Sequence, residues 1–265
     1  MRKAIATAAI VAMSLVGLRA DVTVVQTMSM EGAAAAAMGG AALPRLTIRI
    51  KGQKARSDVD MNGQTISSIA DLTKKQLVLL NTASKAARIV TAESPAGAAM
   101  PDVDFTYKAT GKTRTIEGQV CDEFALTMKL NMADLLPQGQ ATPEMAAMMA
   151  DVFMVLNGSI WIAKGAPGAS EFAAFNKAAL DSNLMNAITG VGGQGPIGKL
   201  LEANATAPGL PYLTEITMQV EGSGPMVEGL KQMGPLKMVQ KITSVSTEAL
   251  DDAIFEIPKD YKVEK

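Results

Sequence analysis

Residues 45–61, RLTIRIKGQKARSDVDM, decide the fold class because their apolar side chains recur at every second position. Leu46, Ile48 and Ile50 alternate with polar side chains, and the alternation resumes after Gly52-Gln53. A repeat of two residues is the period of a β-strand, in which successive side chains point to opposite faces of the sheet. The stretch therefore predicts two strands joined as a hairpin.

Alternating segments of similar length continue along the chain and predict an antiparallel meander. The Asn62-Gly63 pair is the strongest turn signal, because both residues tolerate the positive φ of a tight hairpin. The segment 120–130 places Phe124, Leu126 and Met128 on one face of its strand. Strands are predicted at 22–30, 46–51, 55–61, 66–72, 76–81, 86–91, 105–110, 112–117, 120–130, 159–164, 211–220 and 236–246.

Helices are predicted in the later part of the chain. The segment 143–156, PEMAAMMADVFMVL, has Thr142 as a helix N-cap and a proline in its first turn, and it ends at Asn157-Gly158. A second helix is predicted from Ser170 to about residue 188, and a short one at 196–203. A loop should join the last two strands, and residues 254–261 should pack as an extended tail. The pattern predicts an α+β domain, a curved antiparallel sheet with helices over one face.

The first twenty residues have the features of an export signal. Arg2 and Lys3 precede an apolar run at 4–18 that is short for a membrane span, and Ala20 is a small residue at the expected cleavage site. We expect residues 1–20 to be a signal peptide and residues 21–265 to form a single domain in the periplasm or outside the cell. Cys121, the only cysteine, is expected to be buried rather than disulfide-bonded.

Composition excludes several classes of function. The chain contains no histidine, which removes the usual general base near neutral pH and the commonest transition-metal ligand. Without residues 1–20 the chain has 22 basic and 26 acidic side chains, so no basic surface for nucleic acid is expected. Neither an enzymatic activity nor a cofactor is predicted, and no segment of the mature chain is expected to span a membrane.

Four segments taken in order resemble a family of exported bacterial proteins. They are IRIKGQKARSDVDMNGQTISSIADLTKKQLVLLN, TGKTRTIEGQVCDEFALTMKL, GSIWIAKGAPGASEFAAF and ITSVSTEALDDAIFEIPKDYKV. The resemblance covers residues 46–263 and is to a domain-of-unknown-function family, itself similar to periplasmic lipoprotein carriers and their sensor relatives. It implies an open half-barrel with helices over its concave face and implies no catalytic residues. The methionine-rich segment 145–153 departs from the family, so a ligand preference cannot be carried over.

Three other patterns bear on possible chemistry. GVGGQGPIGKL, residues 190–200, contains G-x-G-x-x-G, but no strand precedes it and Leu200 follows the lysine, so a phosphate site is not predicted. The pairs Asp58/Asp60, Asp102/Asp104 and Asp251/Asp252 have the chemistry of acid–base or calcium sites, but neither is predicted. Alternation places Asp58 and Asp60 on a solvated face beside Arg56, where cross-strand ion pairing is the ordinary explanation. Methionines at short spacing could bind copper(I), but their spread along the chain favours packing.

The leading hypothesis is a non-catalytic protein that binds a lipid or acyl chain between the curved sheet and the helices. Its alternative is an envelope interaction or sensor domain whose core is filled by its own side chains, with a protein partner and no small ligand. Copper(I) handling is the third hypothesis. The residues predicted to line the ligand site are Phe124, Leu126, Met128, Met145, Met148, Met149, Phe153, Trp161, Phe172 and Phe175.

Overall fold

A computed structural model shows one large open sheet of twelve strands. It describes residues 20–33, 35, 44–61, 63–91, 104–135, 142, 148–182, 184, 203, 207, 209–232 and 234–264. The strands are β1 Val22–Glu31, β2 Arg45–Lys51, β3 Lys54–Met61, β4 Gln64–Asp71, β5 Gln76–Asn81, β6 Ala86–Thr91, β7 Asp104–Ile116, β8 Gln119–Asn131, β9 Phe153–Ala163, β10 Leu210–Glu221, β11 Leu236–Ser246 and β12 Lys262–Glu264. The two helices described at both ends are α1 Ala169–Asp181 and α2 Pro225–Gln232.

The sheet is curved and not closed into a barrel. Its strand order is β12-β6-β5-β4-β3-β2-β1-β11-β10-β9-β8-β7, and every neighbouring pair is antiparallel except β12 with β6. Two meanders, β2 to β6 and β7 to β11, therefore lie side by side, and β1 joins them by pairing with β2 and β11. The predicted curved antiparallel sheet is confirmed.

One face of the sheet, here called the helix face, carries α1. Its row of directly paired residues across β2 to β5 is Ile50, Ala55, Ala70 and Leu77. Phe175, Ala178 and Ala179 of α1 pack against Ala70 and Leu77 of this row. Since paired residues point to the same side of a sheet, the register follows this face onto β1, where it carries Val22, Val24, Gln26, Met28 and Met30.

The opposite face, here called the tail face, is covered at β3 to β6 by the C-terminal segment. Phe255, 6% exposed, packs with Ile69, Val78, Leu80 and Ala87. The segment was predicted to be extended, but Asp252–Phe255 forms a 3-10 turn, and the Asp251 carboxylate at its start accepts a hydrogen bond from the Ala253 amide. The short turn points Phe255 into the sheet before the chain continues to β12.

Three predicted elements were wrong in detail. The helix predicted at 143–156 does not reach its predicted end, because Phe153 begins β9, where its backbone pairs with β8 and β10. Strands predicted at 105–110 and 112–117 are one strand, β7, with a bulge between Ala109 and Thr113 and a positive φ at Gly111. The loop predicted between the last two strands contains α2, anchored by Val227 at 1% exposure.

The start of α1 also differs from prediction. Ser170 is not its N-cap: the cap is Gly168, with φ 74°, and the Ser170 hydroxyl donates to Glu171. A side chain at Gly168 would meet Val22 Cγ2 at 2.6 Å, so glycine lets the helix start lie directly on β1. The helix predicted to about 188 is described to Asp181, and the one at 196–203 lies almost wholly outside the described residues.

Gly158 lies in the middle of β9, where a glycine usually marks a bend or a close backbone approach. A Cβ atom there would overlap the carbonyl oxygen of Glu215 and lie 2.9 Å from the Cα of Ile216 on the neighbouring strand. Both contacts are with backbone atoms, which a rotamer change cannot relieve. The close approach of β9 and β10 therefore requires glycine at this position.

We predict that Gly158→Ala lowers the free energy of unfolding by about 1–3 kcal/mol, since the two strands must move apart. Thermal or urea denaturation of the purified protein measures this loss. The control is Gly165→Ala, because a Cβ at Gly165 meets nothing within 4 Å. Equal stability of the two variants would show that β10 does not approach Gly158 this closely.

Candidate functional site

Methionine is concentrated on the helix face of β1 and β8 to β11. The register makes Met30 the direct partner of Met238, which pairs with Ile216. Ile216 in turn pairs with Gly158, and Gly158 with Leu126. The methionines that share this face are Met28, Met30, Met128, Met154, Met218 and Met238. We call this surface the methionine face.

Most of this surface is neither fully buried nor freely exposed. Met128 is 5% exposed, whereas Met28, Met30 and the methionines of β9 to β11 are half-buried. Methionine is unbranched and polarizable, so its side chain adapts to irregular apolar shapes. A sheet face built from it can adjust to different apolar molecules more readily than one built from valine or isoleucine.

An aromatic stack extends the methionine face to the edge strand β7. The ring centroids of Phe105 and Tyr107 are 6.4 Å apart, and those of Tyr107 and Phe124 are 5.1 Å apart, with nearly parallel planes. Burial raises the pKa of Tyr107 to about 12, so its hydroxyl stays protonated in any ordinary buffer. The stack adds flat apolar area and no charge to the surface.

A pocket of about 460 Å³ opens where the methionine face meets α2. Met218, Val220 and Leu236 line it from the sheet, and Met218 and Leu236 are direct cross-strand partners. Leu230 of α2, 37% exposed, lies on its other side. This volume is within the range of sites for small ligands. The remaining lining residues are Gln219, Glu221, Lys231, Gly234 and Pro235.

Strands β1 and β9 to β11 keep their charges on the side opposite the methionine face, whereas Asp122 of β8 lies on the methionine-face side and forms an ion pair with Lys164. On β11, Lys237 and Lys241 alternate with Met238 and Gln240, and on β10 Glu215 alternates with Ile216. Lys237 forms an ion pair with Glu215 at 3.3 Å on that opposite side. Among the described helix-face positions of β1 and β9 to β11, therefore, no side chain is charged. An apolar molecule could lie on this surface without desolvating an ion.

The residues predicted to line the site do not come together as one lining. Phe124, Leu126 and Met128 lie on the methionine face. Phe153 and Trp161 occupy the alternate positions of β9, outside the row of Met154, Leu156 and Gly158, and Trp161 belongs to the core cluster beneath α1.

The other predicted lining residues do not belong to the strands of the methionine face. Phe172 and Phe175 are on α1, packed against the cluster that contains Trp161. Met148 is 66% exposed, Met149 is half-buried, and Met145 lies outside the described residues.

The residues that sequence reasoning missed are on β1, β10 and β11. Met218 and Met238 were interpreted as fillers spread over the chain, and Met28 and Met30 as a pair at a spacing that copper(I) sites use. Met28 and Met30 alternate with polar side chains in one predicted strand, as Ile216 and Met218 do in another. That shared alternation was the available signal. Their placement side by side depends on which strands pair, and β1 pairs with β11 more than 200 residues away.

The predicted solvated position of Asp58 was wrong, whereas the predicted cross-strand ion pairing is confirmed by Arg49. Asp58 is 9% exposed on the tail face, where Ser67 donates to it at 2.6 Å and Arg56 Nε at 2.9 Å, and Arg49 completes an ion pair. Burial alone raises the pKa of the Asp58 carboxyl, but these hydrogen bonds and the two guanidinium charges outweigh burial and hold the pKa below its ordinary value. A carboxylate so firmly ionised and paired is poorly suited to general-base catalysis.

Among the other paired carboxylates, Asp60, Asp251 and Asp252 have structural partners. Asp60 is exposed and accepts a hydrogen bond from Thr65. Asp252 forms an ion pair with Lys51 at 3.0 Å, which attaches the C-terminal segment to β2. Asp104 is exposed, and Asp102 lies outside the described residues, as does the glycine-rich stretch 190–200.

Cys121 is buried with no exposed surface, as predicted, and burial raises the pKa of its thiol. A thiol in this state is a poor nucleophile and a poor metal ligand. Within the described residues, no cluster of three or more Cys, Asp or Glu side chains could hold a metal ion. In the same part of the chain, no helix has the length and apolar character needed to cross a membrane.

Comparison with known proteins assigns no family. No protein-family model matches the chain, and no curated protein sequence is significantly similar to it.

We predict that Asp58→Asn removes part of the acid sensitivity of folding. The pKa of Asp58 is lowered in the folded state, so its stabilising contribution is present above the unfolded value of about 3.9 and is lost as pH falls below it. The wild-type free energy of unfolding should therefore decrease more steeply than that of Asp58→Asn between about pH 5 and pH 3. Urea denaturation at several pH values measures both slopes.

Asp60→Asn is the matched control, since it removes a carboxylate from the same strand at an exposed position. It should keep the wild-type pH dependence. If Asp58→Asn and wild type showed parallel pH profiles, the ion-paired network would contribute nothing to acid stability.

Proposed function

We propose that this protein is a non-catalytic, exported binding protein that holds an apolar ligand, a lipid or an acyl chain, against the methionine face. The observation that carries the proposal is an uncharged, methionine-rich sheet face that leads into a pocket of about 460 Å³. The proposed site overlaps the predicted one at Phe124, Leu126 and Met128 and moves its centre towards β10, β11 and α2.

The energetics favour chain-like ligands. Each methylene group removed from water contributes about 0.8 kcal/mol, so ten methylenes contribute roughly 8 kcal/mol before the entropic cost of association. Such a ligand needs few polar contacts to bind usefully. The pliable thioether side chains can follow the bends of an acyl chain without a specific cavity shape.

The proposal includes the half-barrel architecture of the lipoprotein carriers. The open, curved sheet supports it, as does the packing of α1 on the helix face beside β1 and β2. In such an architecture the helix face is the concave side, and an acyl chain lies between the sheet and its helices. Cleavage of residues 1–20 and release into the periplasm or the medium belong to the same proposal.

Two other functions make different predictions for the same surface. If the protein is an interaction or sensor domain, the methionine face is filled by the protein itself or covered by a protein partner and takes up no lipid. If it handles copper(I), the direct opposition of Met30 and Met238, with Met28 on the same face, supplies neighbouring thioether ligands. A copper(I) titration against a competing chelator measures the second possibility.

We predict that the mature protein binds a fluorescent fatty-acyl probe and that Leu230→Glu weakens this binding about 10-fold or more. Leu230 lines the pocket, and burial of a leucine side chain contributes roughly 1.5–3 kcal/mol. Loss of this contribution, together with an added charge, is expected to raise Kd by about 10-fold or more. Fluorescence titration gives Kd, and native mass spectrometry after mild purification shows any co-purified lipid.

Gln232→Glu is the matched control, because it adds the same charge to the same turn of α2 at an exposed residue outside the pocket lining. It should bind the probe as wild type does. Ligand-free protein in native spectra, together with no response to acyl probes, would contradict the proposed function and favour the interaction domain.

A further inference from the structure

Two glutamine side chains interrupt the otherwise apolar methionine face. Gln240 pairs directly with Met28 on β1 and with Thr214 on β10, which places it in the middle of this surface. Gln26, on the same face of β1, is 2% exposed, and its carbonyl oxygen accepts a hydrogen bond from Gln240 Nε2. The hydrogen bond between the two side chains fixes the positions of both amide groups within an apolar surface.

The hydrogen-bonding capacity of Gln240 exceeds what Gln26 uses. A glutamine amide has two N–H donors and a carbonyl oxygen with two acceptor positions. One donor is directed to Gln26, and Gln240 remains half-buried rather than enclosed. Thr214, its half-buried cross-strand partner, adds a hydroxyl group next to it. The Gln240 amide and the Thr214 hydroxyl can accept a hydrogen bond from a neutral polar group of a ligand or donate one to it.

The distribution of charge limits what that polar group can be. Lys237 and Lys241 lie on the opposite side of β11, where they form ion pairs with Glu215 and Glu117. Lys231, at the α2 end of the pocket, donates to the carbonyl oxygen of Gly222 at 2.9 Å and pairs with Glu228. An ionised carboxylate beside Gln240 would therefore have no cation among the described helix-face residues of β1 and β9 to β11, and its burial would be costly.

The spacing along β11 relates the glutamines to the pocket. Leu236 in the pocket lining and Gln240 are four residues apart on one strand, which corresponds to about 13 Å. Met238 lies between them on the same face. An acyl chain with its end beside Leu236 and Leu230 would therefore lie over methionine and bring its polar group to Gln240.

We propose that the methionine face selects acyl compounds whose polar group is uncharged, such as esters and amides, over ionised fatty acids. Gln240 is the hydrogen-bonding residue, and Gln26 is a positioning residue that holds its amide in place. This inference rests on the proposed function and names the chemical class of its ligand. The alternative is a ligand bound in the opposite orientation, with an anionic head group at Lys231. The experiment must distinguish this orientation from the one with the polar group at Gln240.

The test is competition for the mature protein between pyrene, an uncharged fluorescent hydrocarbon, and two acyl compounds at pH 8. Methyl dodecanoate is expected to displace pyrene at a concentration at least about 10-fold lower than dodecanoate, since the unpaired carboxylate must be desolvated. Equal or tighter binding of dodecanoate would overturn the selectivity. This comparison uses wild-type protein and does not depend on the folding of any variant.

Gln240→Met then tests the residue itself, since it keeps the side-chain length and removes the hydrogen-bonding groups. Its affinity for methyl dodecanoate relative to its affinity for pyrene is expected to fall about threefold to tenfold, the effect of one lost hydrogen bond. The control Gln119→Met makes the same change on β8 at a position that alternates with the methionine-face residues.

The outcomes separate the two proposals. Wild-type ester affinity in Gln240→Met would overturn the role of Gln240 while leaving acyl binding intact. Loss of ester binding in Lys231→Met but not in Gln240→Met would place the head group at α2 and overturn the orientation. Absence of binding by pyrene and by both acyl compounds would instead overturn the proposed function, and this inference with it.

Discussion

The pairing of β1 with both β2 and β11 is the interaction on which the rest of the structure depends. The two meanders, β2 to β6 and β7 to β11, are built from local hairpins, but only β1 joins them into one sheet. Val22 and Val24 have no exposed surface, and Val22 supports the start of α1 at Gly168. If β1 were displaced, each meander would expose an unpaired edge, and the methionine face would be divided.

The two faces of the sheet differ in their accessible side chains because different segments cover them. On the tail face, the C-terminal segment inserts Phe255 and ties itself to the sheet through Lys51 and Arg56, which donate to the carbonyl oxygens of Leu250 and Ile254. Beneath it, Asp58 is paired and hydrogen-bonded, so the polar groups there are satisfied internally. On the helix face, α1 covers one part, while the part formed by β1 and β8 to β11 offers half-buried methionines.

The proposed binding role uses this division between the two faces. Asp58 and Asp252 are engaged in ion pairs with Arg49 and Lys51, and the thiol of Cys121 is enclosed. What remains available is apolar area, a pocket beside α2 and a central amide at Gln240. These are the features of a surface that shelters a ligand and fixes its orientation by one or two polar contacts.

The sequence by itself determined the strands and their alternation, because the side chains of a β-strand alternate strictly and its turns need glycine or asparagine at defined places. It also predicted the burial of Cys121 and the common face of Phe124, Leu126 and Met128. It misplaced the segment before Gly158, where alanine and methionine favour a helix locally while pairing with β8 and β10 imposes a strand from Phe153 onward.

Only the tertiary structure decided that Asp58 is buried and that methionines from β1, β10 and β11 share one surface. Both results follow from contacts between segments far apart in the chain, which local periodicity does not encode.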